Sequence, residues 1–95
     1  MAELDPLVLA PARLKLMITL TAVSEAEFAT IRDALEVSDS VLSKHLAALE
    51  TVNYVKRRKG VHRTRRTTWI SLTPAGRKAL HAHVAALRDL IGDIT

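Results

Sequence analysis

The chain has 95 residues, of which 48% are hydrophobic but only 3% aromatic; it has no cysteine, a net charge of +4 and a pI of about 10.0. That length supports one domain, residues 1–95, with a modest core built from Leu, Ile, Val and Ala, a helix-forming set. The absence of cysteine excludes disulfides and thiolate metal sites, and the sequence shows neither an apolar run of about 18 residues nor a basic-then-apolar leader, so a cytoplasmic protein with no membrane segment is expected.

Met1 to Ala10 reads as a lead-in with apolar points at Leu4, Leu7, Val8 and Leu9. Pro11 suits the first position of a helix, and Leu14, Met17, Ile18 and Thr21 recur at spacings of three and four, predicting a first helix to about Thr21. Ser24-x-x-Glu27 fits a capping box, and a very short strand around Glu27-Phe28 before a helix from Thr30 to Leu35 fits equally well. In either case Phe28, Ile31 and Leu35 share a face. Ser38 is a good N-cap for a third helix, over about 39–52, with Asp39 in its first turn and Leu42, Leu46 and Leu49 as its apolar spine. Asn53 follows, a residue that tolerates a left-handed cap. The tight link around Val37 has the spacing of a helix-turn-helix.

Tyr54–Lys59 suits a half-exposed strand, and Thr67–Leu72 is rich in β-branched and aromatic residues. They are expected to pair as a hairpin whose loop holds Gly60 to Arg65. Alternation puts Ile70 and Leu72 towards the core and Trp69 on the other face, under the hairpin against an Arg stem or at a subunit contact. Thr73 and Pro74 then start a last helix, 74–95, in which Leu80, Val84, Leu87, Ile91 and Ile94 are spaced 4, 3, 4, 3, a short heptad seam. The fold class is therefore mainly α with a small β-hairpin: a three-helix core, the hairpin and a long C-terminal helix.

Charge is segregated along this order. Seven of the fourteen Lys and Arg residues lie in 56–66, and no acid occurs between Glu50 and Asp89. Like charges this close repel one another, and phosphate neutralises them with release of counterions, so nucleic acid is the leading partner. At 100° per residue, Leu42, Leu46 and Leu49 lie within about 60° of one another, with Ser40, Lys44, Ala47 and Thr51 opposite, Val41 and Ala48 beside these, and Ser43 and His45 on the flanks. A small, polar outward face with one cation is what a helix entering a major groove needs, although an ordinary solvated face looks similar in isolation.

The string Leu42-Ser43-Lys44-His45-Leu46-Ala47-Ala48-Leu49-Glu50, then Asn53-Tyr54-Val55, the basic hairpin and Leu72-Thr73-Pro74-Ala75-Gly76, resembles small winged-helix transcriptional regulators of the ArsR and MarR type, over about Leu7 to Leu90. One departure is Asn53, where that family usually carries Gly; Asn adopts the same positive-φ conformation. The resemblance implies a winged helix-turn-helix, a recognition helix over about 39–52 and a wing over about 56–68. It places Ser40, Val41, Ser43, Lys44 and His45 at the DNA surface, with Ser38 at the start of that helix. Arg63, Arg65 and Arg66 are expected at the wing tip, with Arg58 behind them, on the backbone or in the minor groove.

No feature supports an enzyme: there is no Gly-rich phosphate loop and no Ser, His and acid set in a known motif. His81 and His83 point about 160° apart on a helix, so no metal or cofactor is expected, and one of the two is assigned to a subunit contact instead. Leu80 and Val84 can pack on the domain itself, whereas Leu87, Leu90, Ile91 and Ile94 lie far along the last helix. A partner helix explains so apolar a tail, with Leu7, Leu14 and Val84 adding to a homodimer interface. The expectation is a sequence-specific regulator that binds double-stranded DNA at a palindromic operator. The alternative is a winged-helix module for protein assembly or nonspecific RNA binding, which would tolerate changes at Ser40, Ser43 and Lys44.

Overall fold

The computed structural model describes residues 3–92 and 94. Its first element is a single helical turn, α1 (Pro6–Leu9), within the stretch expected to be a plain lead-in. The Asp5 carboxylate accepts from the Leu7 N–H at 3.0 Å and Pro6 takes the first helical position, so cap and proline together hold a turn too short to persist alone. Helix α2 (Pro11–Thr21) follows as expected, but its buried side chains are Leu16, Met17 and Leu20. Ile18, expected on the spine, is 49% exposed. Six of the eleven residues here are Leu, Met, Ile or Ala, so sequence spacing alone does not select a face.

The chain then forms a two-residue strand, β1 (Ala26–Glu27), and α3 (Phe28–Leu35). Of the two expected readings, the strand is the one formed. Ala26 and Glu27 pair with Ile70 and Trp69, and that pairing takes the backbone a capping box would have used. Helix α3 ends with Glu36 in the left-handed region at φ 55°. The Glu36 and Val37 N–H groups return to the Asp33 and Arg32 carbonyls at 3.2 and 3.3 Å, which closes the helix and turns the chain. Helix α4 (Asp39–Thr51) starts three residues later, with the Ser38 hydroxyl accepting from the Val41 N–H at 3.2 Å.

Strands β2 (Val55–His62) and β3 (Arg65–Leu72) form the hairpin, and the sheet order is β1-β3-β2, all antiparallel. The expected six-residue loop is only Arg63-Thr64, with φ 52° and 64°. Two successive left-handed residues make the tight turn that matches strand twist, so pairing extends to His62↔Arg65. Helix α5 (Pro74–Gly92) completes the fold. Its expected extension to residues 93 and 95 lies outside the described residues.

The core joins Val8, Leu16, Met17, Leu20, Ile31, Leu42, Leu46, Leu49 and Ile70, all fully buried, to Val55 and Leu80. Each such aliphatic side chain contributes on the order of 1.5–3 kcal/mol of transfer free energy. Leu7, Leu14 and Val84, expected at a subunit interface, pack partly buried against this core. His83, on the pair expected to supply a subunit contact, is fully buried, and its Nδ1 accepts from the Asp5 N–H at 3.0 Å. The same Asp5 accepts from the Tyr54 hydroxyl at 2.8 Å, so one carboxylate region ties α1, the exit of α4 and the middle of α5 together. That bond, and then desolvation, raise the Tyr54 phenol above its ordinary pKa.

Candidate nucleic-acid interface

Helix α4 is held at both ends by contacts that its sequence neighbours supply. At the start, Arg32 of α3 reaches across the turn and donates to Asp39 at 3.0 Å, while also bonding Asp33 at 3.0 Å. Asp33 first, then Asp39, raise the Arg32 guanidinium above its ordinary pKa. At the end, Asn53 takes φ 61° and the Asn53 and Tyr54 N–H groups return to the Glu50 and Leu49 carbonyls, both at 2.9 Å. The start of α5 then docks on that exit. Thr73 donates its N–H to the Tyr54 carbonyl at 3.0 Å and its hydroxyl to the Asn53 carbonyl at 2.5 Å, and accepts from the Gly76 N–H at 2.9 Å. A Cβ on Gly76 would lie 2.0 Å from the Tyr54 oxygen, so only glycine permits this approach.

With Leu42, Leu46 and Leu49 fully buried, α4 turns Ser40, Val41, Lys44 and Ala47 outward, all exposed. Ser38 is also exposed, and its hydroxyl lies 3.2 Å from that of Ser40. Ser43 is half-buried on the flank. His45 is half-buried too, and its Nδ1 is enclosed without a hydrogen-bond partner. Desolvation, and then the Arg13 charge, lower its imidazole pKa. His45 thus belongs to the packed flank beside α2, and is not brought to the open face with Lys44.

The strand register divides the wing into two faces. Val55 and Ile70, both buried, mark the inner one, which carries Arg57, Lys59 and Val61 on β2 and Arg66 and Thr68 on β3. Arg57 there forms an ion pair with Glu50 of α4. The outer face pairs Arg58 with Trp69, Gly60 with Thr67 and His62 with Arg65, and β1 adds Glu27 beside Trp69. Arg58 bonds Glu25 through two nitrogens at 2.5 and 3.3 Å, and its guanidinium carbon lies 5.9 Å from the centre of the Trp69 ring. The Glu25 bond raises the Arg58 pKa. Glu27 holds Arg65 at 3.3 Å, the Thr67 hydroxyl at 3.0 Å and His62 Nε2 at 3.5 Å.

Of the expected phosphate contacts, Arg63 and Arg66 are therefore exposed without an ion pair among the described residues, as are Lys44, Lys56 and Lys59, while Arg58 and Arg65 are engaged by acids. Lys59 carries the same signal as its basic neighbours in the sequence; strand alternation sets it with Arg57 on the face opposite Lys56 and Arg58, and the register does the same. Among the described residues no group of three His, Cys, Asp or Glu side chains can hold a metal ion, and no helix is long and apolar enough to cross a membrane.

The tail of α5 is a second exposed surface. Leu87 is half-buried, while Leu90, Ile91 and Ile94 are 51%, 56% and 83% exposed. A groove between α2 and α5 is lined by Ile18, Thr21, Leu80, His81, Val84, Ala85 and Arg88. Ile18 was missed for this surface because its spacing assigns it to the core.

The family model of the winged helix DNA-binding domain matches residues 12–91. An uncharacterised protein of Methanocaldococcus jannaschii is 29% identical over 82 residues, covering 86% of this chain and 89% of that protein. The structure of a transcriptional regulator homologue from Pyrococcus horikoshii superposes with a TM-score of 0.86 at 27% identity, over 93% of this chain and 87% of that one. The transcriptional repressor CouR, solved bound to a 23-mer DNA duplex, superposes with a TM-score of 0.76 at 23% identity, over 87% of this chain and 58% of CouR. At that identity the likeness to CouR is one of fold.

Proposed function

Because this chain belongs to the winged helix DNA-binding domain family, whose similar solved structures are transcriptional regulators and not enzymes, we propose that it is a sequence-specific regulator acting on DNA as a homodimer. One observation carries the reading. Ser40, Val41 and Lys44 are exposed on α4, and Lys59, Arg63 and Arg66 are exposed on the wing that follows it, without an acidic partner among the described residues. Short polar side chains let a helix approach base edges, and unpaired cations beside it meet phosphate. CouR on its duplex is a case of this fold docked on DNA.

In this reading α4 enters the major groove with Ser40, Val41, Ser43 and Lys44 towards the bases, and Ser38 at its start reaches the backbone. The wing grips phosphate beside it. The tails of two α5 helices, with Leu87, Leu90, Ile91 and Ile94, cover each other, and the α2–α5 groove extends that interface. Two-fold symmetry then calls for a roughly palindromic operator with half-sites about 10 base pairs, or a multiple, apart.

Selection from a random duplex pool at about 0.15 M salt tests the reading. A symmetric enriched motif that shifts when Ser43 and Lys44 are replaced by Ala is the expected result. Binding without enrichment would favour a nonspecific anchor on nucleic acid. Leu90→Glu with Ile91→Glu is expected to give a monomer by sedimentation, and an intact dimer removes the tail from the interface.

A further inference from the structure

We propose that Glu25 and Glu27 are positioning residues of the wing: they keep Arg58 and Arg65 on its outer face when DNA binds, so that the wing meets phosphate through Lys59, Arg66 and Arg63. The inference rests on the DNA-binding reading and adds to it a division of labour among cations that are adjacent in sequence.

The division follows from register. Glu25 and Glu27 are two residues apart at β1, so strand alternation sends both to the face that carries Arg58, His62 and Arg65. Glu27 has a side chain only 13% exposed; its Oε2 accepts from Arg65 and Thr67, and its Oε1 lies 3.5 Å from His62 Nε2. Withdrawing Arg65 to a phosphate would leave a largely enclosed carboxylate short of a charged partner and close to a second anion. Glu25 binds Arg58 with both oxygens. Arg58 in turn lies over Trp69, and His62 meets the same ring edge-on, with centroids 5.7 Å apart and planes at 79°. Gly60 makes the seat: a Cβ there would come within 3.0 Å of Trp69 and 2.9 Å of Arg58. Moving Arg58 would therefore break a two-point ion pair and uncover the indole. Lys59 and Arg66 sit on the inner face without an acid, and Arg63 is at the turn, so these cations reach phosphate without breaking anything. A wing whose outer face is held by Glu25 and Glu27 has a set orientation before it meets DNA.

The salt dependence of binding by the full chain to one fixed duplex reads this division. Each lost phosphate contact reduces the slope of log affinity against log salt by about 0.9 per subunit. Lys59→Gln, Arg63→Gln and Arg66→Gln are each expected to do so. Arg58→Gln and Arg65→Gln are expected to lower affinity through a loosened wing with the slope unchanged. A slope loss of about 0.9 per subunit in either of the last two overturns the proposal. Emission from Trp69, the only Trp, reads the latch without DNA. Glu25→Gln is expected to shift it towards that of an exposed indole, and an unchanged spectrum overturns the latch. If the unaltered chain shows no salt-dependent binding to any duplex, the DNA reading falls, and the division of phosphate contacts with it, while the Trp69 spectrum still judges the latch.

Discussion

Helix α4 and the wing follow one another in the chain and are held by opposite means. The helix is fixed by burial and by backbone: a fully buried Leu42, Leu46 and Leu49 spine, a serine cap at one end, and at the other a left-handed Asn53 on which Thr73 and Gly76 close. The wing extends past the core with Val61 67% exposed, and its outer face is fastened to the body through charged side chains, Arg58 to Glu25 and Arg65 to Glu27. Burial is insensitive to ionic strength, while exposed ion pairs are weak and screened by salt. A reader of bases has to hold its side chains in place to fractions of an ångström, and the first kind of support does that. A grip on phosphate only has to present charge at the right height, for which the second kind suffices.

Breaking the helix side has the largest expected effect. Leu46→Ala removes buried methyl groups from the middle of the core and is expected to cost about 2–5 kcal/mol in denaturant unfolding. Gly76→Ala drives a methyl group into the Tyr54 carbonyl and is expected to cost about 1–3 kcal/mol, with DNA binding lost alongside because α4 and the wing base share that junction.

A smaller effect separates the packed flank of α4 from its open face. Desolvation lowers the His45 pKa, so the folded chain binds this proton less readily than the unfolded one. Its contribution is therefore neutral above the ordinary imidazole value of 6.5 and becomes a loss of stability as pH falls through that value towards the lowered folded one. Unfolding midpoints measured across this range for the unaltered chain and for His45→Gln are expected to diverge towards low pH, the variant losing less. Matching curves would mean that the flank is open to water.

The smallest expected change in stability comes from the wing. Glu27→Gln is expected to lower the unfolding midpoint less than any change above while altering DNA affinity, because an amide oxygen still accepts from Thr67 and the strands stay paired with β3. A large fall in the midpoint would erase the contrast between the two regions.

The local chemistry of the fold was legible in the chain. Ser38 caps α4, Asn53 takes the positive φ expected of it, Thr73 caps α5, and the Leu42, Leu46 and Leu49 spine is the buried one. Each of these is decided by a residue and its neighbours within about one helical turn. The misread elements share a cause. The six-residue hairpin loop contracts to Arg63-Thr64 because strand pairing pushes two residues without glycine into left-handed backbone. The strand β1 forms because Ile70 and Trp69 offer an edge more than forty residues away.

The sequence by itself determined that this is a helical winged domain with a charge-segregated surface, since caps, apolar spacing and the run of basic residues act locally or as a sum. Only the tertiary structure decided how those charges are used. Glu25 and Arg58 are 33 residues apart and Glu27 and Arg65 are 38 apart, and Asp5 and His83 meet across 78. An ion pair depends on the distance and shielding between two groups, which folding sets and composition does not. The chain sorts the seven cations of the basic run only by strand face and by nearness to the turn; in the folded protein three of them, Arg57, Arg58 and Arg65, have acidic partners among the described residues.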